Sequence, residues 1–348
     1  MSGEERDELL ARAEENLRAL ELFSGYLNLC PRYVKARDVQ NLTAACGVDE
    51  ETAVRLLIAA ACGLDGDARE ADRVMEERYF RPAIHRLDAA VCRADPYYQT
   101  IRLPEISRGE WRMDYKTLDA YEAFTADDLL LLPDGREVPQ IGFFSEPFRA
   151  PMVEQNGREW MTVTPSEINT MTGDIRAARG RVAVFGLGLG YYAFMAAQKP
   201  EVTRVVVIER EESVISLFRE YILPQFPHAD KIAVERADAF AYAETMGRER
   251  FDCAYVDLWH DVLDGVPMYL RMKRLERGCP QTAFRYWIEP SMLAWLRGMA
   301  LMELSEGVTG PMLQTTGVGT SARDMRERLS NKNLRRLAER IPPEVAER

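Results

Sequence analysis

Three closely spaced glycines and a series of acidic residues hold the chemistry this chain can be expected to do. Glycines 186, 188 and 190 follow the apolar run 182–185 at G-x-G-x-G spacing. A second apolar run, 205–208, ends on Glu209. That order reads as strand, glycine turn, helix, strand, with a carboxylate at the tip of the second strand. Glycines let the backbone approach a ligand without a Cβ between. The carboxylate of Glu209 can accept hydrogen bonds from both hydroxyls of a ribose, so a nucleoside-containing cofactor is the expectation. Leu187 inside the turn and Arg210 directly after Glu209 fall within its reach. Two further strand-like segments, 232–235 and the apolar part of RFDCAYVDLWHD (250–261), run into Asp238-Ala239 and Asp257. Open α/β sheets place ligands beyond the carboxyl ends of their strands, so Gly186, Glu209, Asp238 and Asp257 should share one rim.

Glycine spacing selects the cofactor. A dinucleotide site wants a third small residue where this chain has Tyr191, and a P-loop wants a Gly-Lys-Ser/Thr ending that is absent. The GLGLG turn, with Glu209 behind it, resembles motif I of class I S-adenosylmethionine-dependent methyltransferases. The resemblance is nearest to the spermidine-synthase-like branch and covers roughly residues 128–262. It implies a Rossmann-like sheet with helices on both faces and S-adenosylmethionine as cofactor. It also implies contact of Asp238 and Ala239 with the adenine amino group; Asp238 equally suits the N-cap of the helix that follows. Glu167 stands roughly where that branch keeps a polar cofactor contact, though a carboxylate there also suits a helix N-terminus. In aminopropyltransferases an Asp-Ser-Ser-Asp type sequence ends the fourth strand. Here Asp257 matches its first Asp, but Leu258, Trp259 and His260 intervene before Asp261, and the Gly-Gly-Gly-Asp-Gly loop is missing. Those departures favour methyl transfer over aminopropyl transfer.

A sulfonium methyl is already a strong electrophile, so the protein must mainly align a nucleophile and exclude water. An amine or hydroxyl nucleophile gains from a base, for which Asp257, His260 and Asp261 are the candidates. Trp259, Tyr192 and Trp160 are candidate walls of the substrate pocket, with core packing the competing role for each. The Asn/Asp-Pro-Pro-aromatic motif of amine methyltransferases acting on nucleobases and glutamine is absent. The reading is therefore a methyltransferase of a small-molecule acceptor. An aminopropyltransferase or related sulfonium-donor transferase is the first alternative, and a non-catalytic cofactor-binding protein the second.

The elements that must position these residues divide into three expected regions. Residues 1–115 read as a helical N-terminal domain and 116–165 as a β-meander of two hairpins, turning at Pro133-Asp134-Gly135 and Asn156-Gly157. Residues 166–348 read as the Rossmann-like cofactor-binding domain with a C-terminal helical extension. Two short helices around AACGVDEETAVRLL imitate a helix-turn-helix, but the second opens on Glu50 and Glu51, a poor face for phosphates. Dimerisation or a lid suits the helical region better and leaves a homodimer open. The net charge of −11 argues against a large nucleic-acid surface. The chain has no run of about 18 apolar residues and no signal-peptide core, and its six scattered cysteines suggest reduced thiols and no metal site. A cytoplasmic enzyme is the expectation. The arginine-rich C-terminal helices read as a solvated face or as a docking surface for an acidic partner.

Overall fold

Strands buried on both faces must be apolar at every position, and the runs around the glycine turn meet that demand. In the computed structural model, which describes residues 3–248, 250–307, 312 and 321–342, they form the middle of an all-parallel sheet. The chain divides into two compact units: residues 1–13, 100–102 and 170–348 in one, residues 14–99 and 103–169 in the other.

The smaller unit holds two sheets. Its strands are β1 (Ile84–Arg86), β2 (Ile106–Arg108), β3 (Trp111–Leu118), β4 (Phe124–Leu131), β5 (Glu137–Phe143), β6 (Phe148–Gln155) and β7 (Arg158–Thr162). Both expected hairpins are present, β4–β5 and β6–β7, but they lie in different sheets, ordered β1-β5-β4 and β2-β3-β6-β7. A single meander is thus corrected to two sheets. The expected helical boundary at residue 115 falls inside β3, whose eight residues pair antiparallel with β6. The N-terminal helices are interrupted by β1, which runs parallel to β5. Helices Gly3–Leu29, Ala36–Cys46 and Glu50–Ala61 supply Phe23, Tyr26, Val39, Val54 and Ile58 to this unit's core. Asp49 caps the last of them by accepting from Thr52 N at 2.7 Å. The first-turn acids are used within the unit: Glu50 accepts from Tyr121 Oη at 2.5 Å and Glu51 from Arg86 N at 2.8 Å.

The larger unit carries β8 (Gly180–Phe185), β9 (Val202–Glu209), β10 (Ile232–Arg236), β11 (Cys253–Val256) and β12 (Ala283–Tyr286) in the order β10-β9-β8-β11-β12. The first strand is central, the next two step outward on one side and the last two on the other. The direction reverses between β8 and β11, and that switch point is where doubly wound sheets bind ligands. Alternate side chains separate onto two faces. Ala183, Phe185, Val206, Ile208, Ala254 and Val256 share one core with helices Ala239–Thr245, Val262–Glu276 and Glu289–Ser305. Val182, Val184, Val205, Val207 and Tyr255 are buried as well. Tyr192, on helix Tyr191–Ala197, stacks on Tyr255 with ring centroids 3.9 Å apart. Lysines finish two helix ends here. Lys199 Nζ donates to the carbonyls of Ile175, Arg176 and Ala178, and Lys231 Nζ to those of Ala197 and Lys199, satisfying C-terminal groups that lack intrahelical partners.

Candidate functional site

The rim starts where β8 runs out. Gly186 and Gly190 take φ of +96° and +75°, conformations that L side chains avoid. A Cβ on Gly186 would stand 2.0 Å from the backbone oxygen of Asp257, and one on Gly190 2.5 Å from the Phe218 ring. The first contact brings the turn directly against the tip of β11. Gly190 N closes the turn onto Leu187 O at 2.8 Å, and Phe194 N donates to Gly190 O as the helix begins.

Glu209 ends β9 and ties two turns together. Its Oε2 accepts from Leu187 N at 3.2 Å and its Oε1 from Glu211 N at 2.8 Å. A carboxylate has about four lone-pair positions, so two backbone bonds leave capacity for ribose hydroxyls while fixing the group's orientation. Arg210 points away into solvent beside Glu211. At the end of β10, Ala237 N donates to Glu209 O at 3.1 Å, which draws the two strand ends together. Asp238 is exposed and caps helix Ala239–Thr245, its Oδ1 accepting from Ala241 N at 2.9 Å, and Ala239 is buried beneath it. The helix-capping role of Asp238 is therefore present in the fold.

Asp257 continues β11, its N–H donating to Phe185 O at 2.9 Å. Burial raises its carboxyl from the usual range to about 7, so it is poised near neutrality. Gly186, Leu187, Gly188, Glu209, Asp238 and Asp257 thus lie at the carboxyl ends of adjacent strands β8, β9, β10 and β11.

The loop after Asp257 separates the remaining candidates. Trp259 is 5% exposed, packs against Gly265 and Met292, and its indole N–H has no hydrogen-bond partner. Asp261 is the N-cap of helix Val262–Glu276, its Oδ1 accepting from Leu263 N at 2.7 Å and Asp264 N at 3.2 Å. Asp264 completes the capping box and also receives His260, whose Nδ1 lies 3.1 Å from Oδ2. Of the two roles open for Tyr192, core packing is the one observed: it is 4% exposed beneath its stack with Tyr255. Glu167 and Trp160 belong to the smaller unit. Glu167 lies in the first turn of helix Pro165–Ala177, and Trp160 sits edge-on to Trp111 with centroids 5.5 Å apart.

Two features of the rim have no counterpart in the sequence reading. Asp264 was legible in principle, as the second acid of an Asp-x-x-Asp capping pattern at a helix start. Ile288 was not. It adopts φ +47°, a left-handed conformation that a β-branched residue rarely takes, directly after Trp287, whose N–H donates to Val256 O. The strain therefore sits at the end of β12, beside the β11 tip. The arginines of the C-terminal helices are engaged within their own unit: Arg326 with Glu8 at 2.8 Å and Arg335 with Glu289 at 2.9 Å. Among the described residues, no helix is long and apolar enough to cross a membrane.

No protein-family model matches the chain, and neither does any curated protein. Solved structures do match. Spermidine synthase from Thermotoga maritima is 12% identical with a TM-score of 0.32, over 44% of this chain and 60% of that one. A probable spermidine synthase from Corynebacterium glutamicum is 16% identical with a TM-score of 0.33, over 44% and 62%. MNMC2 from Aquifex aeolicus is 14% identical with a TM-score of 0.29, over 49% and 62%. The matched region is thus about three fifths of the length of these structures. By its own strand order and its glycine turn, the larger unit has a Rossmann-like, doubly wound α/β fold.

Proposed function

We propose that this chain is an S-adenosylmethionine-dependent methyltransferase that acts on a small-molecule acceptor by in-line transfer. The observation that carries the reading is the joining of the glycine turn to Glu209, through Leu187 N, on the same rim as Asp238 and Asp257. These residues fit the cofactor. Glu209 has oxygens oriented by backbone donors, the turn brings main-chain groups forward without side chains, and Tyr191 excludes the third small residue a pyrophosphate site wants. Glu209 would hold the ribose, Asp238 with Ala239 the adenine edge, and Gly186, Leu187 and Gly188 the amino-acid end. When bound, S-adenosylmethionine supplies an activated methyl group on sulfur. What remains for the protein is to orient the acceptor, exclude water and take up a proton.

Aminopropyl transfer is the second reading. A half-buried carboxyl at the β11 tip, with its pKa raised to about 7 by desolvation, favours it, because such a group suits an attacking amine. The net charge of −11 fits an enzyme of small molecules, not of nucleic acid; a cytoplasmic setting and a homodimer are compatible with both readings.

Calorimetry with S-adenosylmethionine, S-adenosylhomocysteine, decarboxylated S-adenosylmethionine and NAD tests the proposal, with Glu209→Ala as control. Micromolar binding of the first two, lost in the variant, supports it. Preference for the decarboxylated donor moves aminopropyl transfer forward, and binding of NAD alone or of nothing refutes both. Transfer of label from methyl-labelled donor into a small-molecule cell extract then tests the reaction itself.

A further inference from the structure

Three side chains near the β11 tip were candidates for a base, and their surroundings are not equivalent. Asp261 is committed to the helix start, accepting from two backbone N–H groups through Oδ1. Asp257 lies against the glycine turn, its own backbone oxygen meeting Gly186. His260 stands three residues further along the loop, with its side chain 56% exposed.

What holds His260 is Asp264. The N–H of His260 donates to Asp264 Oδ1 and Oδ2 at 3.1 and 3.2 Å, and Asp261 N donates to Oδ1 at 3.0 Å. The ring nitrogen Nδ1 lies 3.1 Å from Oδ2. Partial burial opposes ionisation of Asp264, but the bonds from Asp261 and His260 outweigh it and keep its pKa below the ordinary carboxylate value. An ionised carboxylate only accepts hydrogen bonds, so Nδ1 must carry the hydrogen in this pair. The neutral ring then has its basic lone pair on Nε2. Main-chain bonds of a capping box thereby fix the tautomer of a histidine at the rim.

We infer that His260 is the general base of the transfer, with Asp264 as its positioning residue, and that the acceptor attacks through a hydroxyl or amine. The inference rests on the methyltransferase reading. In the step, Nε2 takes the O–H or N–H proton of the acceptor. The nucleophile's electron pair forms the new bond to the methyl carbon as the donor's carbon–sulfur bond breaks, and a neutral thioether leaves. The imidazolium that forms lies beside the Asp264 carboxylate. A thiolate or carbon acid already ionised in solution would need no such pair.

Two measurements on the full chain test this. In long-range ¹H–¹⁵N spectra of histidine-labelled protein, with His260 assigned by His260→Gln, the neutral ring is expected as the Nδ1–H tautomer. Asp264→Asn should abolish that preference. In label transfer from methyl-labelled S-adenosylmethionine to a small-molecule extract, His260→Gln is expected to slow the rate about 100-fold or more. Asp264→Asn should slow it on the order of 10-fold, less than a buried triad Asp, because Asp264 is partly solvated. Donor affinity should stay unchanged in both variants. An Nε2–H tautomer, or variants that transfer at the wild-type rate, overturns the inference. A wild-type chain that binds donor but transfers no label overturns the functional reading and the base role with it, and the tautomer spectrum then shows whether the pair itself was read correctly.

Discussion

Asp257→Asn offers the sharpest physical test of the rim, because it needs no ligand. The carboxyl has a pKa near 3.8 in an unfolded chain and about 7 in the folded one, raised by burial. The folded state therefore keeps a proton that the unfolded state releases, and between pH 4 and 7 it binds more protons. By linkage, stability must fall as pH rises through that window and level off beyond it. Full conversion at about 1.36 kcal/mol per pKa unit gives about 4 kcal/mol, and the residual exposure of Asp257 brings the expectation to roughly 2–4 kcal/mol. Asparagine keeps the shape and cannot ionise. The stability difference, Asp257→Asn variant minus wild type, should thus grow by that amount between pH 4.5 and 7.5. Urea unfolding at a series of pH values measures it, and with m near 2–3 kcal/mol/M the midpoints should separate by about 1 M over the window. A difference that stays flat within about 0.5 kcal/mol would show that Asp257 is solvated. A difference running the other way would show it paired with a cation. Either result removes the raised carboxyl from the site.

Other perturbations divide the rim by role. Gly186→Ala places a Cβ 2.0 Å from Asp257 O at φ +96° and should destabilise by about 2–4 kcal/mol, whereas Gly173→Ala, with nothing within 4 Å and a helical position, should gain up to about 1 kcal/mol; thermal unfolding compares them. Glu209→Ala removes the acceptor for Leu187 N and Glu211 N and should weaken donor binding about 100-fold by calorimetry, the loss of two charge-assisted hydrogen bonds. Asp261→Ala breaks the capping box and should cost about 1–2 kcal/mol in urea unfolding while leaving donor affinity intact.

The strands and glycine turn that frame the rim were legible because their demands are local. A turn at positive φ pressed against a neighbouring strand tip needs glycine, a strand buried on both faces needs an unbroken apolar run, and a strand tip that accepts from two backbone N–H groups needs an acid. Gly186, the run ending at Phe185 and Glu209 meet those demands within one βαβ unit, and the parallel register of β8 and β9 follows. The smaller unit was less legible for the opposite reason. Its hairpin turns were plain, yet which hairpin joins which sheet depends on β1, three residues long, and on pairings such as β1 with β5 that span more than fifty positions of sequence. The alternation of Trp111, Met113 and Tyr115 with charged residues in β3 was present but fell across an expected domain boundary. At the β11 tip the same residue types could serve several purposes, and only geometry separates them. Asp261 and Asp264 look equivalent in the sequence, but one is held by helix N–H groups while the other holds an imidazole. Tyr192 and Trp259 read as aromatic walls, but burial to 4% and 5% makes the first a packing residue and leaves the second with a sealed, unpartnered N–H. The strained Ile288 has no sequence signal, since its conformation is imposed where β12 turns into helix Glu289–Ser305. An unpartnered donor, a strained backbone and a half-buried carboxyl are each unfavourable on their own. All three lie at the ends of the adjacent strands β11 and β12.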